Sequence, residues 1–390
     1  MITQSKSDPR VVKKLISDNK SMIEEYRKAL TQSDGSSAKN LASQIFGIGS
    51  KVSTKTFKDG SSYQGELGSN GMRHGKGIMS FTNNQVYFGD WQNDLFHGQG
   101  VYIFETSERY NGQLMNGKKH GKGDFYYANG NVFRGNWKED EKHGPGELEF
   151  ANGDLIRGNW ENGLYSGHGK HSFFYGDEFD GNYKFGKKSG FGKLSFDNGA
   201  VFEGEWLNDK PNGNGRIGYS NGDSYEGNFE NGQKSGQGKY KYVSDELYQG
   251  HWENDEKNGM GTFNYGNGDK YSGEWRDGLR CGKGIYKSES GYEYRGQFRN
   301  GKRHGYGIIM HPDKTHYNGE WEDGEMHGNG IFQLANGDRY EGRWCGNRKN
   351  GKGRYVWQSG DVFEGEFLDD KMTVGKLTRT DGSSVEINVL

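Results

Sequence analysis

The sequence predicts an all-β protein: an elongated antiparallel meander of about fourteen hairpins of 23 residues each, preceded by an N-terminal amphipathic helix. Three observations predict it: an aromatic residue that recurs at a fixed period, aromatic and polar residues that alternate on either side of it, and Asn-Gly turns between the alternating stretches. The expected domains are a helical arm over residues 1–50, a repeat array over 51–380 and a capping strand over 381–390.

The composition supports a fold built from aromatic residues and glycine. Hydrophobic residues make up 30% and mean hydropathy is −1.07, as in disordered chains, but 14% of residues are aromatic and 67 are glycine. The net charge of −2 gives no general attraction to nucleic acid. Two cysteines exclude a disulfide framework, and no long apolar run or signal peptide is seen. We therefore expect a soluble, intracellular protein without a transmembrane segment.

The repeat is defined by one anchor residue per unit. The first step between anchors is 24 residues and the other twelve are 23, which indicates a stacked array of fourteen repeats. The anchors are Tyr63, Tyr87, Tyr110, Phe133, Ile156, Phe179, Phe202, Tyr225, Tyr248, Tyr271, Tyr294, Tyr317, Tyr340 and Phe363.

Each unit opens with a strand whose two faces differ. In "YSGEW", Tyr271, Gly273 and Trp275 share one face, while Ser272 and Glu274 point the other way. Glycine occupies the middle position in all fourteen units. Because it has no Cβ, an aromatic ring can lie flat over the backbone there.

The second half of each unit completes a hairpin. We expect a loop of five to six residues, then a "HGKG"-type segment as at His74, a second alternating strand, and a tight Asn-Gly turn as at Ala151. The last unit has Val374 and Lys376 where glycines belong, which suggests a fraying or capping repeat.

The Tyr-x-Gly-x-Trp segment followed by His-Gly-x-Gly resembles the MORN repeat family over about four-fifths of the chain. The resemblance implies a non-enzymatic structural scaffold or protein-interaction module without a cofactor, in the cytoplasm and cytoskeleton. Its expected place is a ciliary or flagellar axoneme, as in radial spoke head components, or another large cytoskeletal complex. Two alternatives stay open: a phosphoinositide-associated membrane-tethering module, and an adaptor that binds a motor-protein tail helix.

The aromatic residues predict a ring-lined groove that binds partner segments. Tyr240 and Phe263 are expected to reach solvent. The tryptophans form either the core alone or a core that doubles as the groove floor; they are Trp91, Trp137, Trp160, Trp206, Trp252, Trp275, Trp321 and Trp344.

The first fifty residues predict a helix from Pro9 to about Gln32, with an apolar seam at four- and three-residue spacing. The seam residues are Val12, Ile16, Ile23, Tyr26 and Leu30. This helix either caps the first repeats, pairs with a partner in a coiled coil, or touches a membrane.

A basic residue precedes the His-Gly position in nine repeats, and we call this set the basic row. Its members are Arg73, Lys119, Lys142, Lys188, Lys234, Lys257, Arg280, Arg303 and Lys349. We expect them along one loop edge about 10 Å apart. They either form a solvated edge or dock an acidic partner such as tubulin-like tails or anionic lipid heads. Homodimerisation also stays open.

No catalytic or metal site is expected. Histidine precedes the glycine pair in six repeats, but Ser or Asn takes its place in most others, and both are poor zinc ligands. Hydrogen bonds between hairpins account for all these residue types. No glycine-rich string precedes a helix, so a dinucleotide site is excluded.

The fixed period makes a prediction about size. Small-angle scattering should give a radius of gyration well above the roughly 21 Å expected for a compact chain of this length, because the hairpins add along one direction. A value near 21 Å would contradict a stacked array.

Overall fold

The computed structural model describes residues 52–106 and 108–389, and in them it shows thirty β-strands and no helix. The chain forms two compact units, the first ending at Lys187 and the second beginning at Lys188. Within each unit consecutive strands pair antiparallel, for example β10 with β11 and β18 with β19. The predicted all-β antiparallel meander is confirmed.

The first unit contains β1 (Ser53–Thr56), β2 (Ser62–Leu67), β3 (Arg73–Ser80), β4 (Val86–Gln92), β5 (Leu95–Ile103), β6 (Arg109–Met115), β7 (Lys118–Tyr126), β8 (Val132–Lys138), β9 (Glu141–Glu149), β10 (Leu155–Glu161), β11 (Leu164–Ser172) and β12 (Glu178–Lys184).

The second unit contains the remaining strands, with β13 starting at the boundary. They are β13 (Lys187–Ser195), β14 (Val201–Leu207), β15 (Lys210–Gly218), β16 (Ser224–Glu230), β17 (Gln233–Lys241), β18 (Leu247–Glu253), β19 (Glu256–Asn264), β20 (Lys270–Arg276), β21 (Leu279–Lys287), β22 (Glu293–Arg299), β23 (Lys302–Met310), β24 (His316–Glu322), β25 (Glu325–Gln333), β26 (Arg339–Cys345), β27 (Arg348–Val356), β28 (Val362–Leu368), β29 (Lys371–Thr378) and β30 (Ser384–Asn388).

The hairpin of β18 and β19 shows the register of one repeat. Gly250 lies opposite Gly261, and Trp252 lies opposite Lys257, so β19 carries two extra residues between these pairs. The extra residues form a bulge in the segment that corresponds to "HGKG", where Gly259 has a φ of +71°. The glycine motif therefore belongs to the strand and bends it.

The expected loop of five to six residues before this motif is wrong. Glu253 and Glu256 already pair across the hairpin, which leaves only Asn254 and Asp255 in the turn. Their φ values of 49° and 70° are both positive, as the favoured two-residue hairpin turn requires. Asn and Asp tolerate this region better than other residues with a side chain.

The turn between successive hairpins is the tight Asn-Gly turn that the sequence predicts. After β19, the Gly268 N–H donates to the Tyr265 carbonyl at 3.1 Å, and Gly268 has a φ of +90°. The Asp269 N–H donates to the Asn267 side chain at 3.1 Å.

Each anchor ring lies on a pair of opposed glycines. Tyr248 is fully buried, and a Cβ built on Gly261 would stand 2.6 Å from two of its ring carbons. A Cβ on Gly250 would stand 2.5 Å from the Gly261 Cα. The Tyr248 hydroxyl donates to the His251 carbonyl at 2.9 Å. The prediction that glycine lets a ring lie over the backbone is confirmed.

The repeat anchored at Ile156 obtains its ring from another position. Tyr165, which occupies a position of the basic row, is buried, and a Cβ on Gly158 would stand 2.6 Å from its hydroxyl oxygen. That hydroxyl donates to the Arg157 carbonyl at 2.8 Å. The glycine pair is therefore covered although Ile156 brings no ring.

The fourteenth hairpin folds like the others, and the expectation about its glycines is corrected. Gly365 lies opposite Gly375, which is one position earlier than in the other repeats, and the Phe363 ring above this pair is fully buried. The bulge here carries one extra residue, so Val374 and Lys376 flank the glycine and do not replace it. β30 then pairs with β29.

The ring-on-glycine contact gives a prediction about stability. Gly250→Ala should lower the free energy of unfolding by about 1–3 kcal/mol or more, because its Cβ meets backbone atoms that cannot move independently. Gly218→Ala is the matched control, since a Cβ there meets nothing within 4 Å. Urea unfolding of both full-length variants checks this, and equal stabilities would show that the glycine pair carries no packing constraint.

Candidate binding face

The two faces of the sheet differ in chemistry, and the rings gather on one of them, which we call the aromatic face. Anchors, tryptophans and the basic row all lie there. The structure places the eight tryptophans that follow the anchors in the core, with exposed fractions of 3–6%. Their indoles are almost fully covered, so the surface that solvent contacts on this face is made of other side chains.

A column of perpendicular rings runs through this core. Trp252 stands edge-on between the anchor of its own repeat, Tyr248, at 5.2 Å and the preceding anchor, Tyr225, at 5.4 Å. Its indole N–H donates to the Gly238 carbonyl of the preceding hairpin at 3.4 Å. In the second unit the alternation continues without interruption from Trp206 to Phe363. Edge-to-face contacts of this kind are favourable, so each repeat holds its neighbour.

The sequence predicts that the basic row lines a loop edge, and the structure shows that it does not. Its side chains lie over the rings: the Lys234 ammonium is 4.9 Å from the Trp252 ring centre, and the Lys257 ammonium is 4.4 Å from that of Phe263. The Lys234 side chain is only 14% exposed. The reason is the register, which places each basic residue opposite a tryptophan position and thus on the aromatic face. Methylene stems cover rings and the charged ends approach solvent.

Of the two rings expected to reach solvent, one does not. Phe263 is 6% exposed and packs against Tyr265 and Trp275, so it belongs to the core. Tyr240 is half-buried, and its hydroxyl donates to Asp223 at 2.7 Å. Sequence alternation alone cannot separate these cases, because both residues face the same side of equivalent strands.

The rings that do reach solvent form a second line beside the core, which we call the outer ring row. They come from the end of each second strand and the turn after it, and all are half-buried. In the second unit they include Tyr219, Tyr240, Tyr242, Tyr265, Tyr286, Tyr292, Tyr355 and Trp357. Together with the charged ends of the basic row they make the accessible surface of the aromatic face.

The opposite face carries a ladder of ion pairs. Arg134 contacts Glu149 at 2.9 Å, and Arg157 contacts Glu147 at 2.6 Å. Farther along, Arg216 contacts Glu203 at 2.7 Å. Exposed pairs of this kind add little stability, but they neutralise one another.

The histidines before the glycine pairs do not assemble a site. In the part of the chain that the structure describes, no three His, Cys, Asp or Glu side chains come close enough to hold a metal ion. Cys281 and Cys345 are thiols. Within residues 52–106 and 108–389, no helix is long and apolar enough to span a bilayer.

A known repeat matches this architecture. The sequence profile of the MORN repeat matches thirteen consecutive segments between residues 63 and 362. The chain belongs to the MORN repeat family. The matched MORN segments are 63–86, 87–109, 110–132, 133–155, 157–174, 179–201, 202–224, 225–245, 248–270, 271–291, 294–316, 317–339 and 340–362. The shortened match at 157–174 is the repeat whose ring comes from Tyr165, and the hairpin of Phe363 lies beyond the last match.

Solved structures similar to these MORN repeats share little sequence with them. The TCP domain of SAS-4 from Drosophila melanogaster, in complex with a proline-rich motif of Ana2, is 17% identical with a TM-score of 0.26, over 40% of this chain and 85% of that one. A mutant TCP10 domain of Danio rerio CPAP is 12% identical with a TM-score of 0.20, over 61% and 95%. No match was found among curated protein sequences. Scores this low carry no argument about function.

The predicted N-terminal helix and its seam from Val12 to Leu30 lie outside the described residues. Whether that segment caps the array or binds a partner stays a prediction.

Lys257 gives a prediction about pH. Burial lowers the pKa of its ammonium from 10.5 to about 8. Between these values the unfolded chain binds the proton that the folded chain has lost, so stability rises with pH across this window. Lys257→Met should therefore raise the free energy of unfolding at about pH 7, and this gain should shrink as the pH approaches about 10. Urea unfolding at both pH values checks this, with the exposed Lys352→Met as control.

A loss of stability in Lys257→Met at neutral pH would contradict it. The attraction between the ammonium and its rings would then outweigh the cost of desolvation.

Proposed function

We propose that this MORN protein is a non-enzymatic scaffold that binds a protein segment along the aromatic face of its second unit. One observation carries the proposal: where a repeat has a basic residue, its charged end stands beside the outer ring row on the same face, as at Lys234, Lys257 and Arg280. A surface of rings and cations that recurs along the array suits an elongated partner, because consecutive repeats offer similar contacts. Rings and Arg are also the side chains enriched where protein interfaces gain most affinity.

The proposed setting is a ciliary axoneme or another cytoskeletal assembly in the cytoplasm. Support comes from membership of the MORN family and from the number of consecutive repeats. The partners would be other proteins of that assembly, with no nucleic acid and no cofactor. The alternatives from the sequence, membrane tethering through phosphoinositides and capture of a motor-protein tail helix, use the same aromatic face.

The face can be tested by site-specific photocrosslinking in ciliated cells. A photoreactive phenylalanine at Tyr242, in the outer ring row, should form covalent adducts with one or a few axonemal proteins. The same residue at Tyr306, which is 57% exposed on the opposite face, is the matched control and should form few. Mass spectrometry identifies the adducts.

Equal yields at the two positions would contradict binding on the aromatic face. Adducts with lipid alone at Tyr242 would favour the membrane-tethering alternative.

A further inference from the structure

The counter-ions of the basic row come from the next hairpin. There the second residue of the two-residue turn approaches the basic residue of the repeat before it. In five repeats this residue is aspartate, and in four of these its carboxylate accepts a hydrogen bond from the backbone N–H of a lysine. Asp140 accepts from Lys119, Asp209 from Lys188, Asp255 from Lys234 and Asp370 from Lys349. The fifth pair is Arg73 with Asp94, at 2.9 Å between side chains.

In three consecutive repeats of the second unit the aspartate is missing. Gly278, Gly301 and Gly324 stand in its place, beside Lys257, Arg280 and Arg303 in that order. Among the described residues these three cations have no ion pair, whereas Lys234 and Lys349 reach their aspartates at 3.6 and 3.9 Å.

The uncompensated cations are packed onto rings and keep unused donors. Arg280 and Arg303 each donate one hydrogen bond, to the Gly301 carbonyl at 2.6 Å and the Gly324 carbonyl at 2.8 Å. A guanidinium has five N–H donors, so most remain available to an acceptor. Burial lowers the pKa of both Lys257 and Arg303, because the partly desolvated surroundings disfavour the charged form.

A shallow cavity opens between the two arginines. It measures about 240 Å³ and is lined by Arg280, Arg303, Tyr286 and Tyr292. Asp269, which accepts a hydrogen bond from the Tyr286 hydroxyl of the cavity lining, also accepts one from the Glu289 N–H at 2.9 Å. The cavity therefore presents positive charge and ring surface, with room for an acidic side chain.

We propose that Lys257, Arg280 and Arg303 form a docking site for an acidic, extended protein segment. Successive hairpins advance by about two strand spacings, or roughly 10 Å. A chain in the extended polyproline II conformation places every third side chain on one side, about 9 Å apart, so carboxylates at that spacing match the three cations. The segment supplies the carboxylates that the turn aspartates supply elsewhere in the array. This inference rests on the proposed binding function and names the chemistry of its partner.

The test uses the full chain and a fluorescently labelled polyglutamate of about twenty residues, which spans about 65 Å when extended. Met is found naturally at this position, at Met326 and Met372, so Lys257→Met, Arg280→Met and Arg303→Met together should fold. This triple variant should bind the peptide about tenfold more weakly or worse. Its control is Lys188→Met, Lys234→Met and Lys349→Met, which removes the same charge from aspartate-paired positions and should change affinity by less than about threefold.

A second variant keeps all three cations. Gly278→Asp, Gly301→Asp and Gly324→Asp restore the turn aspartates, and a Cβ at each site meets nothing within 4 Å. Asp255 and Asp370 adopt a φ of 70° at the same turn position, so the backbone accepts aspartate. This variant should also bind polyglutamate about tenfold more weakly or worse, because internal carboxylates occupy the cations.

Four results would overturn the inference. The control could weaken binding as much as the Lys257 triple variant, which would indicate general charge attraction. The aspartate variant could bind as tightly as the parent. Phosphatidylserine vesicles could lose binding in the Lys257 triple variant while polyglutamate binding is unchanged, which would assign the site to lipid. A photocrosslinked partner at Tyr242 that lacks acidic segments would leave the proposed function standing and this inference wrong.

Discussion

The contact on which this structure depends is a tyrosine or phenylalanine ring lying on two opposed glycines. A single-layered sheet normally needs a second layer to bury its apolar side. Here the backbone itself is the surface that the ring covers, because Gly250 and Gly261 leave no Cβ beneath Tyr248. The indole of the next repeat then closes the ring from the side. Each repeat thereby completes the core of its neighbour, which explains why the period is fixed.

The same packing decides where charge is placed. Lysine and arginine stems form the outer cover of the rings, so the basic row is half-buried on the aromatic face. Where a turn aspartate is present, the charge is compensated within the array. Where glycine replaces it, beside Lys257, Arg280 and Arg303, the described residues offer these cations no ion pair. Proteins commonly keep such local exceptions where they bind something.

Most of the fold followed from spacing, and the errors share one cause. The anchors, the alternation and the Asn-Gly turns were enough to predict the hairpins. In a strand, side chains alternate between two faces, so only one register places all the rings on a common face. The two-residue turn at Asn254, the shifted glycine at Gly375 and the ring supplied by Tyr165 were missed, since each depends on a bulge that changes the register by one or two residues. The signal for Tyr165 was visible: an aromatic residue in the basic row beside an anchor without a ring.

The sequence by itself determined the repeat family, the strand class and the positions of the anchors and their glycines, because these follow from periodicity and from the absence of a Cβ at glycine. Only the tertiary structure decided which side chains reach solvent. Tyr240 and Phe263 occupy equivalent positions in neighbouring repeats, yet Phe263 is buried and Tyr240 is not. For the same reason the basic row, which the sequence predicts at an exposed edge, lies over the rings in the structure. The burial of a side chain depends on which residues of the next hairpin pack against it. The sequence of its own repeat does not specify that contact.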